Sequence, residues 1–155
     1  MNVLIDTADV FIFDENGKKI TEMKKTKSVA VELTGDSLGK ITIKDIEFNK
    51  TLLEVIGEKN EKTDFDKELN KSQKISFGSL KETMKKEFKI IAKTVTRNAE
   101  NSLKSNDITI IAHKAFFIGC SAIDMVSGEL SVTEYTFKAE KDDNGNFIEI
   151  ETTSL

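Results

Sequence analysis

The sequence predicts a mainly-β fold, an antiparallel sandwich or barrel-like arrangement with one short flanking α-helix. Strand-length runs rich in β-branched and aromatic residues recur along the chain, separated by Asn, Ser, Asp and Gly. Only one stretch, about Asn49–Ile56, carries a well-capped helical pattern. A hydrophobic content of 38% beside 32% charged residues fits a globular chain with a solvated exterior. At 155 residues the chain reads as a single domain spanning 1–155, large enough to fold without staples.

Taken in order, Ala8–Phe13 is the first strand, apolar on both faces between Val10 and Phe13. Asp14-Glu15-Asn16-Gly17 is a turn, because Asn-Gly takes positive φ readily, and Lys18–Met23 returns as the partner strand. Ser28–Leu33 puts Val29, Val31 and Leu33 on one face, and in Lys40–Lys44 Ile41 and Ile43 share a face. The apolar phase then slips to Ile46 and Phe48, which requires a bulge or a strand end at Asp45. Asn49 can cap a helix whose Leu52, Leu53 and Ile56 form an apolar stripe, with Gly57 a natural residue just past its end. About two turns long, that helix must dock on the sheet to exist.

Glu58–Lys74 is the most polar stretch, interrupted by Phe65 and Leu69, and reads as a long loop or an exposed hairpin. Ser79-Leu80-Lys81-Glu82 has the form of a capping box, so Leu80–Glu87 fits either a second short helix or a strand running into Phe88. Phe88–Val95, Asp107–Ala112 and Gly128–Ala139 then read as an antiparallel meander. Asp142–Asn146 is a turn before a last strand, Phe147–Glu151.

Composition excludes several function classes. A net charge of −4 argues against a dedicated nucleic-acid binder, which would present a basic face. Cys120 is the sole cysteine and can form no intramolecular disulfide. Met1–Asp6 lacks a basic, then apolar, leader pattern, and no apolar run approaches the ~18 residues of a membrane span, so a cytoplasmic site of synthesis is expected. The chain has no proline, so its sheet edges are blunted by lysine or are put to use.

The chemistry-bearing residues have ordinary readings. Gly35–Lys40 resembles a phosphate loop but is one residue short, and Ile41 stands where a metal-binding hydroxyl is needed; a turn between strands accounts for it. Asp142, Asn144 and Asn146 alternate as in a calcium loop, but Phe147 replaces the required glycine and Thr153 the closing glutamate, which leaves a hairpin turn. His113 and Cys120 could pair as base and nucleophile, yet nothing nearby would lower the thiol pKa, so a solvent-facing His113 and a buried Cys120 are expected. A tetrahedral metal site needs more soft or nitrogen ligands than this chain offers. Lys24-Lys25 and Lys85-Lys86 read as solvated surface. Phe11, Phe13, Phe48, Phe77, Phe88, Phe116, Phe117 and Phe137 read as core rather than as stacking platforms. No enzyme activity, cofactor or metal is expected.

The order of elements resembles the tail tube proteins of tailed bacteriophages, with relatives in phage-tail-like bacteriocins and contractile injection systems. The resemblance rests on the strand–turn–strand opening, Lys40-Ile41-Thr42-Ile43 leading to a helix that ends at Gly57, the charged loop, and a closing Ser131–Ala139 before Asp143-Asn144-Gly145-Asn146. It implies a structural virion protein whose hexameric rings stack into a tube around a channel for DNA. Its partners would be further copies of itself, then tape-measure, terminator, baseplate or sheath proteins, with DNA as passing cargo and no membrane. Its place would be a virion tail or phage-tail-like particle. Glu58, Lys59, Asn60, Glu61, Lys62, Asp64, Phe65, Lys67, Leu69 and Lys71 are the candidate contacts between rings. The alternative from a different class is a monomeric β-barrel holding a small apolar ligand.

Overall fold

The computed structural model describes residues 3–5, 8–26, 28–34, 38–44, 49–61, 73–76, 86–98, 100–101, 103–120, 123–126, 129–132 and 134–154. It is built from strands β1 (Val3–Ile5), β2 (Ala8–Asp14), β3 (Lys19–Thr26), β4 (Ser28–Thr34) and β5 (Leu38–Lys44), then helix α1 (Lys50–Ile56). After the helix come β6 (Glu58–Glu61), β7 (Gln73–Ser76), β8 (Glu87–Asn98), β9 (Lys104–Cys120), β10 (Ile123–Val126), β11 (Glu129–Val132), β12 (Glu134–Ala139) and β13 (Glu149–Ser154). The mainly-β fold with one short helix expected from the sequence is the fold observed.

Nine strands form one open antiparallel sheet along the path β3-β2-β8-β9-β12-β5-β4. Its spine is the β8–β9 hairpin, whose strands run 12 and 17 residues. Each spine strand is long enough to hold two partners in line on its outer side. β8 carries β2 and then β1, while β9 carries β12 and then β13. The two edge strands of the path are nevertheless consecutive in sequence, β3 ending at Thr26 and β4 starting at Ser28. Two peptide units hold those Cα atoms within about 7.6 Å, so the sheet must curl until its opposite edges meet at that corner. Thr26, fully buried there, donates its hydroxyl to the Ala8 carbonyl at 3.0 Å.

Alternation along the strands decides what the curl encloses. Register aligns Val31, Ile41, Phe137 and Phe117 across four neighbouring strands, and Ile90 beside Ile12 and Ala112. Phe137 meets Phe88 and Phe117 edge-on, with centroids 5.9 and 5.6 Å away, the geometry that aromatic quadrupoles favour. Leu52, Leu53 and Ile56 of α1 complete this core. Gly39 is buried because a Cβ there would lie 3.2 Å from both Ala139 Cβ and Ile148 Cδ1. Phe88, Phe117 and Phe137 are core, as expected; Phe11, Phe13 and Phe116 are only half-buried, and Phe48 and Phe77 lie outside the described residues.

α1 is pinned at both ends. Asn49 Oδ1 accepts from the Leu52 N–H at 2.9 Å, its amide donates to Thr21 Oγ1 at 3.1 Å, and its backbone N–H donates to the Tyr135 hydroxyl at 3.2 Å. The helix thereby bridges β3 and β12, strands far apart along the sheet path. At the other end Lys86 Nζ donates to the Val55, Ile56 and Gly57 carbonyls, a cation on the negative end of the helix. Gly57 follows the helix as expected, but with φ −85° and ψ −180° its backbone is extended rather than left-handed.

Several boundaries depart from the sequence reading. The Asp107–Ala112 strand continues to Cys120, through residues expected to form a connector. The single run Gly128–Ala139 is two strands: β11 pairs with β10 in a separate two-stranded sheet, and β12 joins the main sheet. Glu87 opens β8 and runs into Phe88, as the strand alternative for that stretch had it and the helix alternative did not, while 77–85 and Ile46 and Phe48 lie outside the described residues. Asp142–Asn146 is a turn but not a hairpin turn, because β12 and β13 both pair with β9 and not with each other. It repeats the local chemistry of Asp14–Lys18. In each, Asp Oδ1 accepts from the backbone N–H groups two and four residues on at 2.9 Å, and glycine takes positive φ, 82° at Gly17 and 80° at Gly145.

Candidate functional site

Three regions of the molecule present more than a solvated surface. The first is the free edge of β4, Ser28-Val29-Ala30-Val31-Glu32-Leu33-Thr34. Its inner side is paired residue for residue with β5. Among the described residues no strand pairs with its outer side, and β4 has neither lysine nor proline, with Glu32 its one charge, to discourage a further strand. Leu33 is 64% exposed on it. The other edge of the path, β3, is defended by charge: Lys19 and Lys24 are exposed, and Lys19 bonds Glu22. That hydrogen bond holds the Glu22 carboxyl below the usual carboxylate range.

The second, at the far end of the spine, is an apolar surface that is only partly covered. Ile108, Ile110 and Ile150 continue the core-facing side of the sheet beyond α1, with Ile150 directly opposite Ile110. Ile150 is 58% exposed, and Leu103, beside the β8–β9 turn, is 66% exposed. Sequence reasoning missed this patch. Its signal in the sequence was the alternation of Ile108 and Ile110 with a further isoleucine, Ile150, in the last strand.

The third region is a cleft of about 460 Å³ on the opposite face, lined by Glu87, His113, Lys114, Asp142, Asp143 and Asn144. A β-bulge builds it. Phe88 pairs with Ala115 and Ile90 with Ala112, so Lys89 alone on β8 faces both His113 and Lys114 on β9. His113 is half-buried rather than solvent-facing as expected, and its Nε2 lies 3.5 Å from Glu149 Oε1. Cys120 closes the same strand seven residues later, about 23 Å away along an extended backbone, which rules out a His–Cys pair.

The residues expected to join rings fall in two groups. Glu58, Lys59, Asn60 and Glu61 form β6, paired with β7 in its own two-stranded sheet. Lys62, Asp64, Phe65, Lys67, Leu69 and Lys71 lie outside the described residues. Gly39 and Lys40 of the phosphate-loop look-alike are paired into β5. No helix among the described residues is long and apolar enough to cross a membrane. No protein-family model and no curated protein matches the chain.

Proposed function

We propose that this chain is a structural assembly subunit of the tail tube kind, joining copies of itself into rings that stack around a channel for DNA. The observation that carries the reading is the undefended edge of β4. A ring needs two different surfaces on each subunit, one to give and one to receive, because head-to-tail contacts are not self-complementary. The β4 edge offers backbone pairing, and the Ile108–Ile110–Ile150 surface with Leu103 offers an apolar seat elsewhere on the sheet. Both are liabilities in a monomer and joints in a ring.

A small-ligand barrel fits less well. Such a barrel leaves its interior open, whereas the enclosed face here is occupied by Phe88, Phe117, Tyr135 and Phe137 with the side chains of α1.

The test is assembly itself. Ala30→Lys with Leu33→Lys places two cations on exposed positions of β4. Light scattering and sedimentation should find the double variant folded but confined to smaller species than wild type at equal concentration. Identical size distributions would remove β4 as a joint and with it the main support for the reading.

A further inference from the structure

We infer that His113, Asp142 and Glu149 form a binding site for a divalent transition-metal ion such as zinc. One donor atom from each lies within 4.8 Å of the others, and all three side chains are half-buried. They come from separate places: the β9 bulge, the turn after β12 and the first residue of β13. No spacing in the sequence brings them together. The inference is independent of whether the chain assembles.

The geometry suits a small ion. Zinc bound to nitrogen and oxygen at about 2.0–2.2 Å in a tetrahedron sets its ligands roughly 3.4 Å apart. His113 Nε2 and Glu149 Oε1 already stand 3.5 Å apart. From a separation of at most 4.8 Å, the Asp142 carboxylate needs to close by no more than about 1.4 Å on the same scale, a side-chain movement.

The carboxylates are also oriented. Asp142 Oδ1 is held by the backbone N–H groups of Asn144 and Asn146 at 2.9 Å, and the second oxygen of that carboxylate can bond a cation. Glu149 Oε1 accepts from Asn146 Nδ2 at 3.3 Å. Asn146 thus touches both acidic ligands, the arrangement by which outer groups fix a metal's ligands in place. Charge favours the ion as well. Glu87, Asp142, Asp143 and Glu149 outnumber the nearby lysines, Lys114 in the cleft and Lys89 opposite the bulge, while Lys141 lies over the Phe147 ring at 5.5 Å.

The donor set selects the metal class. An imidazole with two carboxylates suits zinc, cobalt or manganese, whereas magnesium and calcium prefer oxygen alone. Water, or Glu87 across the cleft, can complete the coordination. Bound there, the ion ties the turn after β12 and the start of β13 to the middle of β9.

The experiment is titration of the metal-free full chain with zinc, followed by calorimetry and thermal unfolding, with cobalt absorption as a reporter of coordination. Wild type should bind one ion saturably. Its Tm should rise by about 5–10 °C at a hundredfold excess over Kd. His113→Ala and Glu149→Gln should each lose the saturable binding, and Asn146→Ala should weaken it by roughly 10- to 100-fold. Cys120→Ser should bind as wild type does. Magnesium should give no shift. Absent saturable zinc binding in wild type, undiminished binding in both ligand variants, or loss of binding in Cys120→Ser would each overturn the assignment. Should His113→Ala not fold, Glu149→Gln, isosteric and partly exposed, carries the comparison.

Discussion

A few side chains hold this sheet to its helix, and Asn49 is the most heavily used. It caps α1, reaches Thr21 on β3, and offers its backbone N–H to Tyr135 on β12. Asn49→Ala should cost about 1–2 kcal/mol, the usual loss for an N-cap, measured as a lower denaturant midpoint with unchanged slope. Tyr135→Phe removes the acceptor for the Asn49 backbone N–H, a different bond from those of the Asn49 side chain, and should cost ~1 kcal/mol, coupled to Asn49→Ala only through the shared anchoring of residue 49. Gly39→Ala tests packing instead of polarity. Its new methyl would meet Ala139 and Ile148 at 3.2 Å, so a loss of about 1–3 kcal/mol is expected by the same measurement. An unchanged midpoint would mean that Ile148 moves aside freely.

Among the elements, those that alternate cleanly were legible from the sequence, and those whose pattern is interrupted were not. Val29, Val31, Ile41 and Ile43 alternate because one side of β4 and β5 is buried and the other is not, and both strands were found where expected. Asn49 and the Leu52-Leu53-Ile56 stripe located α1 for the same local reason. β9 was cut short at Ala112 because the bulge at His113 and Lys114 resets the parity, moving the buried positions from Ala112 to Ala115 and Phe117. The division between β11 and β12 was hidden because it depends on partners, β10 for one and β9 with β5 for the other. The metal cluster was beyond reach for a related reason. His113 and Glu149 meet only because β13 pairs beside β9, Glu149 opposite Ile111, a contact fixed by register between residues 36 apart in sequence. One element-scale consequence concerns stacking. Replacing residues 62–72 with a short turn that keeps the β6–β7 pairing should leave rings that no longer stack, as seen by electron microscopy. Normal tubes from that variant would remove the stretch as an inter-ring contact.

On the scale of the whole molecule, the sheet is curled enough to bring β3 and β4 together at Thr26 and Ser28, yet among the described residues its ladder does not close. An incompletely closed sheet with one charged edge and one undefended edge is an economical way to specify a single direction of growth. On the proposed reading the lysine-bearing β3 discourages pairing, β4 with Glu32 as its one charge permits it, and the surface around the exposed Ile150 receives the neighbour. The measurement that tests this account most directly is negative-stain electron microscopy of the purified chain at high concentration, with its solution mass determined on the same sample. The account predicts rings or tubes with a central hole and a mass several times that of the 17.3 kDa subunit. A uniform monomer at every concentration, with no rings on the grid, would contradict it.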